Sequence, residues 1–321
     1  MKYWVIICCF LGTRVMAQPA ALPKDTSFTI RSSFEKEVKK RPYITIATIP
    51  ASEKIIEQKD IVYRELGERK LLLDIYYPRK HKKNREAVLL VYGGGWKSGD
   101  KSQNEAMARY LAAKGYFVVS AEYRLSGEAL YPAALYDLKS AVRWIRGHAR
   151  DYGRHIEFVT VMGCSAGGQL AAMMGTTNNK ISYEDPKGNP LQSSTIQAVI
   201  DVDGILAFKH SESEEGPAAS LWLGGTYAEA PANWEEASPL NHVDKQTVPF
   251  LFINSSLPRF HAGRDDMIRK MNELGIYSEI HTIPDTPHPF WFFNPWFEPV
   301  MKYVADFLKQ QKKNHAKHPQ F

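Results

Sequence analysis

Residues 159–175 read VTVMGCSAGGQLAAMMG and set a polar serine between glycines where an apolar run gives way to a helical one. The β-branched, apolar start reads as a strand, and the small residues after Ser165 read as a helix. Gly163-Cys164-Ser165-Ala166-Gly167 has the form G-x-S-x-G in the strand–turn–helix context that this motif requires. Side chains flanking so tight a turn would collide with neighbouring backbone, and glycine removes them. The turn lifts the serine oxygen above the sheet edge. The helix that follows points its first N–H groups at the same place, where a developing oxyanion can use them. A packed structural junction has no need of this arrangement; a nucleophile does. Cys164, beside the serine, is expected to be buried and inert.

Outward from this turn, strands alternate with helices of ten or more residues. KDIVYRELGERKLLLDIYYPRK reads as two strands around a turn at Gly67, and the early hairpin is the one antiparallel feature. REAVLLVYGGGW, YFVVSAEYRL, QAVIDVDG, TVPFLFINSS and YSEIHTIPD read as further strands. QNEAMARYLAAKG, YPAALYDLKSAVRWIRGHARDYG, RDDMIRKMNELG and FEPVMKYVADFLKQQKK read as helices. Continuously apolar strands between helices imply an α/β fold: a mostly parallel central sheet covered on both faces, as a single domain. Residues 204–246 form an irregular insert placed to shape a cleft.

The chain has 321 residues, 44% of them hydrophobic, enough for one large core. Residues 1–17 read as a signal peptide: Lys2, an apolar run over residues 4–11 too short to span a bilayer, and Val15-Met16-Ala17 as a cleavage site. Export to the periplasm or beyond follows, with no stable membrane insertion once the leader is removed. Cleavage leaves Cys164 as the single cysteine, so no internal disulfide is expected. Residues 18–56 are a lead-in, 57–313 the catalytic domain and 314–321 a polar tail. The formal charge is +6, two of which belong to the leader. No basic stripe with interleaved aromatics and no zinc-finger spacing is present, so nucleic acid is not an expected partner. No HExxH-type spacing is present, and neither a metal nor another cofactor is expected.

A second element stands upstream. LLVYGGGWKSGD places Gly93, Gly94 and Gly95 directly after a strand, where bare backbone can offer N–H groups to the oxyanion together with Ala166. No Gly-Lys-Ser/Thr follows at phosphate-loop spacing. Trp96 either walls the pocket or packs into the core. With both elements in view, about residues 57–310 resemble the α/β-hydrolase family, in its esterase and lipase branch with a His-Gly-Gly-Gly loop. That branch carries histidine where this chain has Tyr92, a change that spares an oxyanion hole made of backbone. FLFINSSLPRFHAGRDD and HPFWFFNPWFEP resemble exported bacterial esterases that act on plant cell-wall polysaccharides. The resemblance implies a pectin or xylan esterase, the pectin methylesterase type foremost, with acetyl-xylan, acetyl-pectin and feruloyl esterases as alternatives. A serine peptidase and a non-catalytic polysaccharide-binding protein are more distant ones.

A serine hydroxyl needs a base. Of ten histidines, His288 follows the last strand and precedes the last helix, where the chain order Ser, acid, His puts the base. His148, His155 and His210 lie at helix ends or in the insert, His281 inside a strand, and His315 and His318 in the tail. The resembled family usually takes its acid a few residues after the next-to-last strand. Here that segment, Asn254 to Arg259, holds no carboxylate. Asp265 is the expected acid, with Asp203 and Asp266 as alternatives and Glu298 as a remote one. Arg259 and Arg264, with His261, suggest a clamp for a substrate carboxylate, hence an esterified, anionic polysaccharide as partner. Trp291 and its aromatic neighbours suggest a stacking floor for sugar rings.

Overall fold

The computed structural model describes residues 25–80, 85–188 and 191–317. Residues 1–24, which include the expected signal peptide, and residues 318–321, His318 among them, lie outside the described residues. From Asp25 on, the lead-in holds regular structure that its polar composition does not suggest. Helix α1 (Ile30–Glu37) is capped by Thr29, whose side chain accepts from Ser32 N–H while the Ser32 hydroxyl accepts from Thr29 N–H. A short strand β1 (Thr45–Ile46) follows. The chain then builds β2 (Ile55–Leu66), β3 (Arg69–Pro78), β4 (Glu86–Val91), α2 (Glu105–Lys114), β5 (Phe117–Ala121), α3 (Ala133–His148), β6 (Phe158–Cys164), α4 (Ala166–Thr176) and β7 (Ala198–Val202). Two short helices, α5 (Pro217–Leu223) and α6 (Pro231–Glu236), lie in the insert. The C-terminal part adds β8 (Phe250–Asn254), α7 (Arg264–Glu273), β9 (Ser278–Thr282), β10 (Phe293–Asn294) and α8 (Phe297–Lys317).

Eight of these strands form one sheet in the order β2-β3-β5-β4-β6-β7-β8-β9. β2 and β3 form the expected hairpin around Gly67, but it is not the one antiparallel feature: β3 also meets β5 antiparallel. From β5 to β9 every pairing is parallel. This is the expected α/β architecture. The central strands β4 to β8 are buried along their whole length, as a sheet covered on both faces demands. One apolar core packs α3, α4 and the insert on one face, around Leu138, Leu170 and Trp222. The other packs α2 and α8 on the opposite face, around Leu111, Trp291 and Phe307. β1 pairs with β10 in a small ribbon that ties the lead-in to the aromatic run at 290–297. No helix of the described residues is long and apolar enough to cross a membrane.

Parallel strands put their carboxyl ends on one edge of the sheet, where loops can converge on a ligand. β4, β6, β7, β8 and β9 deliver the 93–96 loop, Ser165, Asp203, the 255–263 loop and the His288 loop to that edge.

Candidate active site

β6 ends at Cys164, and the chain turns at Ser165 with φ 56° and ψ −123° before α4 begins. A non-glycine residue so placed costs about 1–3 kcal/mol and persists only where its surroundings enforce it. Ser165 N–H donates to Val202 O at 2.8 Å, and Gln169 N–H donates to Ser165 O at 3.0 Å, so both flanks of the turn are pinned. A Cβ at Gly163 would strike the Gly167 carbonyl, and one at Gly167 would strike the Val91 carbonyl. Those two glycines let strand, helix and the loop after β4 close on one another. Cys164 is buried beneath the turn, and burial pushes its thiol well above the usual range, which keeps it a thiol.

The Ser165 hydroxyl lies 2.8 Å from His288 Nε2, and His288 Nδ1 lies 2.9 Å from Asp203 Oδ2. With Nδ1–H donating to the carboxylate, Nε2 is free to accept the serine proton. Phe260 stacks on the imidazole at 3.5 Å, and Trp291 meets it edge-on at 5.1 Å, so the ring is held from two sides.

Asp203 sits just past β7 with its side chain wholly buried. Burial alone would raise its carboxyl. Hydrogen bonds from His261 and His288, the charge of His288 and the Ser255 N–H outweigh that and bring it down to about 2. Two residues earlier, Asp201 is driven the other way. Burial, and then the neighbouring Asp203, push it well above the usual carboxylate range. Its Oδ1 accepts from Gly204 N–H, while Oδ2 has no partner among the described residues. The two carboxyls of this corner are thus pushed in opposite directions, Asp203 down and Asp201 up.

Several sequence expectations need correction. Asp265 is not the partner of His288: its side chain is 70% exposed at the start of α7 and accepts from Arg264 Nε. Asp266 pairs with Arg269 and His210. Glu298 is distant, accepting from the Tyr110 hydroxyl. His261 is not a substrate contact; it is buried, with Nδ1 3.3 Å from Asp203 Oδ1. Arg264 donates to Asp265 Oδ1 and Asn254 Oδ1 and does not line the cavity beside Ser165. Trp291 is 1% exposed and backs His288 instead of offering a face to sugar. The other described histidines are engaged elsewhere: His148 with Trp144, His155 with Glu157, His281 with Glu279 and Tyr303, His315 with Phe158.

A cavity of about 150 Å³ opens beside Ser165. Gly95, Trp96 and Ala166 line one side; Ile205, Phe208, Glu214, Glu215, Ala218 and Ala219 come from the insert. The insert does shape the cleft. The N–H groups of Gly94, Gly95 and Ala166 meet no backbone acceptor among the described residues. Gly94 itself, at φ 135°, turns its carbonyl away to accept from Ser98 N–H at 3.1 Å, which folds the glycine loop back on itself. Trp96 both walls the pocket and packs: its indole stacks on Trp222 at 4.8 Å and donates to Gln169 Oε1 at 3.0 Å. Tyr92 points away from the pocket and stacks on Tyr123 at 4.5 Å, so this position serves the core. Arg259 reaches the rim, where Nη1 lies 2.9 Å from Glu214 Oε2. Composition offered one sign of the missed lining residues, the acidic SESEEG run of the insert; nothing marked Phe260.

Comparison with known proteins agrees with this architecture. The family model BD-FAE matches residues 73–264. Esterase LipC of Mycobacterium tuberculosis is 30% identical over 58% of this chain and 47% of its own length. The probable carboxylic ester hydrolase LipM of the same organism is 29% identical over 72% of this chain and 56% of its own. The chain thus spans about half the length of these curated relatives. Among solved structures, a truncated carbohydrate esterase from gut microbiota superposes with a TM-score of 0.69 at 26% identity, covering 82% of this chain and 99% of that one. A bifunctional GH43-CE protein of Bacteroides eggerthii gives 0.68 at 26% identity, over 79% of this chain and 38% of that one. By its family match, and with the α/β-hydrolase architecture described above, the chain belongs to the BD-FAE family.

Proposed function

We propose that the chain is a serine carboxylic-ester hydrolase acting on carbohydrate esters. The observation that carries this reading is the continuous hydrogen-bonded line from Ser165 through His288 to Asp203, opening on a pocket beside free backbone N–H groups. Names of similar proteins support the carbohydrate ester as substrate class. His288 Nε2 takes the Ser165 proton as Oγ attacks the ester carbonyl. The oxyanion is held by the N–H of Ala166 and of the glycine loop, Gly94 or Gly95. Asp203 keeps the imidazole in one tautomer and stabilises the imidazolium. Collapse returns the proton to the leaving alkoxide. A water deprotonated by His288 then releases the acid and restores the serine.

The pocket is small and mostly apolar, walled by Trp96, Ile205, Phe208, Ala218 and Ala219, and it carries two acids at its rim. A short acyl group such as acetyl suits it, with the sugar as leaving group. The methyl ester of a galacturonate chain is the second reading, favoured by Arg259 at the rim; the remaining members of the expected carboxylate clamp, His261 and Arg264, are engaged elsewhere. Export through residues 1–17 belongs to the same reading, and N-terminal sequencing of the mature protein, expected to begin at Gln18, tests it.

The deciding experiment incubates purified protein with acetylated xylan, acetylated pectin, methylated pectin and feruloylated arabinoxylan. Acetate release is expected; methanol without acetate would move the assignment to the second reading. Ser165→Ala should lower kcat by about five to six orders of magnitude. A Ser165→Ala protein with substantial activity ends the serine mechanism.

A further inference from the structure

A second concavity, of about 580 Å³, lies against the other side of His288. Leu257, Arg259, Phe260 and the loop from Thr286 to Pro289 form one wall. α1 and the turn after it form the other. Arg259 and Phe260 line both this groove and the acyl cavity, so the two meet at the reacting centre.

The wall made by α1 is one face of the lead-in. Ser33, Lys36, Glu37, Lys40 and Arg41 recur at spacings of three and four and all line the groove. Their charges do not cancel. Arg41 is bound to Glu37 at 2.8 Å, and Arg259 is bound to Glu214 from the far side. Lys36 and Lys40 are exposed and pair with no acid of the described residues. The wall is also firmly held. Phe28 packs on Phe292 at 6.0 Å and Phe34 on Phe293 at 6.1 Å, while Gln103 Nε2 donates to Phe28 O at 3.0 Å. α1 lies outside the stretch matched by the family model, residues 73–264.

We propose that the groove between α1 and the 257–260 loop is a subsite for a uronate unit of the polysaccharide whose ester is cleaved. The ammonium groups of Lys36 and Lys40 take the uronate carboxylate, and Phe28 and Phe260 supply apolar surface to the ring. The substrate class is then an acylated acidic polysaccharide: the acyl group enters the small acid-rimmed cavity and the anionic chain lies in the basic groove. This inference rests on the ester-hydrolase reading, and its test is separable from that reading.

The test titrates Ser165→Ala protein, which cannot turn substrate over, with tetragalacturonate and with xylotetraose. Exposed ion pairs are individually weak and salt-screened. Tetragalacturonate is therefore expected to bind about tenfold more tightly, and the preference should shrink when NaCl rises from about 20 to about 200 mM. Lys36→Ala/Lys40→Ala should abolish the preference and Lys36→Arg/Lys40→Arg should keep it, with thermal midpoints checking that each variant is folded. Equal affinity for the two oligosaccharides, or a preference that survives loss of both lysines, overturns the proposal. The ester-hydrolase reading fails on a different measurement: wild-type protein that leaves p-nitrophenyl acetate uncleaved.

Discussion

The carboxyl ends of β7 and β8 lie side by side, and they present opposite things to His288. Just past β7 stands Asp203, buried and with its carboxyl held low. β8 ends in Asn254 and Ser255, which carry no charge, and the Ser255 N–H reaches across to Asp203 Oδ1 at 2.9 Å. One strand end supplies the acid and its neighbour supplies a donor that keeps the acid ionised. The first carboxylate after β8, Asp265, meets nothing in the site and stands in water. The carboxylate that meets His288 is therefore the one with donors around it in a dry corner. Closeness along the chain to an expected loop does not select it.

That comparison can be broken most sharply by exchanging a single oxygen. Asp203→Asn should lower kcat on p-nitrophenyl acetate by about three to four orders of magnitude, because the amide no longer enforces the working tautomer. Asp265→Asn should stay within about twofold. Equal losses from the two would return the acid to the β8 side. His261→Ala removes one of the donors on Asp203 and should cost roughly tenfold in kcat, with KM little changed. A loss confined to KM would restore His261 as a substrate contact. The smallest effect is on stability. Asp203 has its carboxyl lowered to about 2 in the folded chain against an ordinary 3.8. A depressed carboxylate stabilises the fold above its ordinary value and loses that contribution as pH falls through the folded one. About 2 kcal/mol should thus disappear between about pH 4 and pH 2. Urea midpoints for wild type and Asp203→Asn should therefore converge over that interval.

Much of this was legible in the sequence, for reasons that differ from residue to residue. Ser165 could be read because its constraint is local: a tight turn between strand and helix demands small neighbours, and the sequence supplies them. His288 could be read because chain order puts the base after the last parallel strand. Asp203 entered only as an alternative, since its advantage comes from Ser255 and His261, more than fifty residues downstream. His261 and Arg264 were misjudged for the same reason, their partners being tertiary. The fold followed from alternation of apolar strands with helices. The lead-in did not: the sense of its polar helix lies in Phe292 and Phe293, at the far end of the chain.

The stacking of Trp96 on Trp222, with their planes 7° apart, joins two parts that a protein engineer would treat as separate modules. Trp96 belongs to the glycine loop after β4, and Trp222 to α5 of the insert that lines the cavity. Replacing the insert would loosen the footing of the glycine loop along with the cavity wall, unless the incoming piece brought an indole of its own to the same seat.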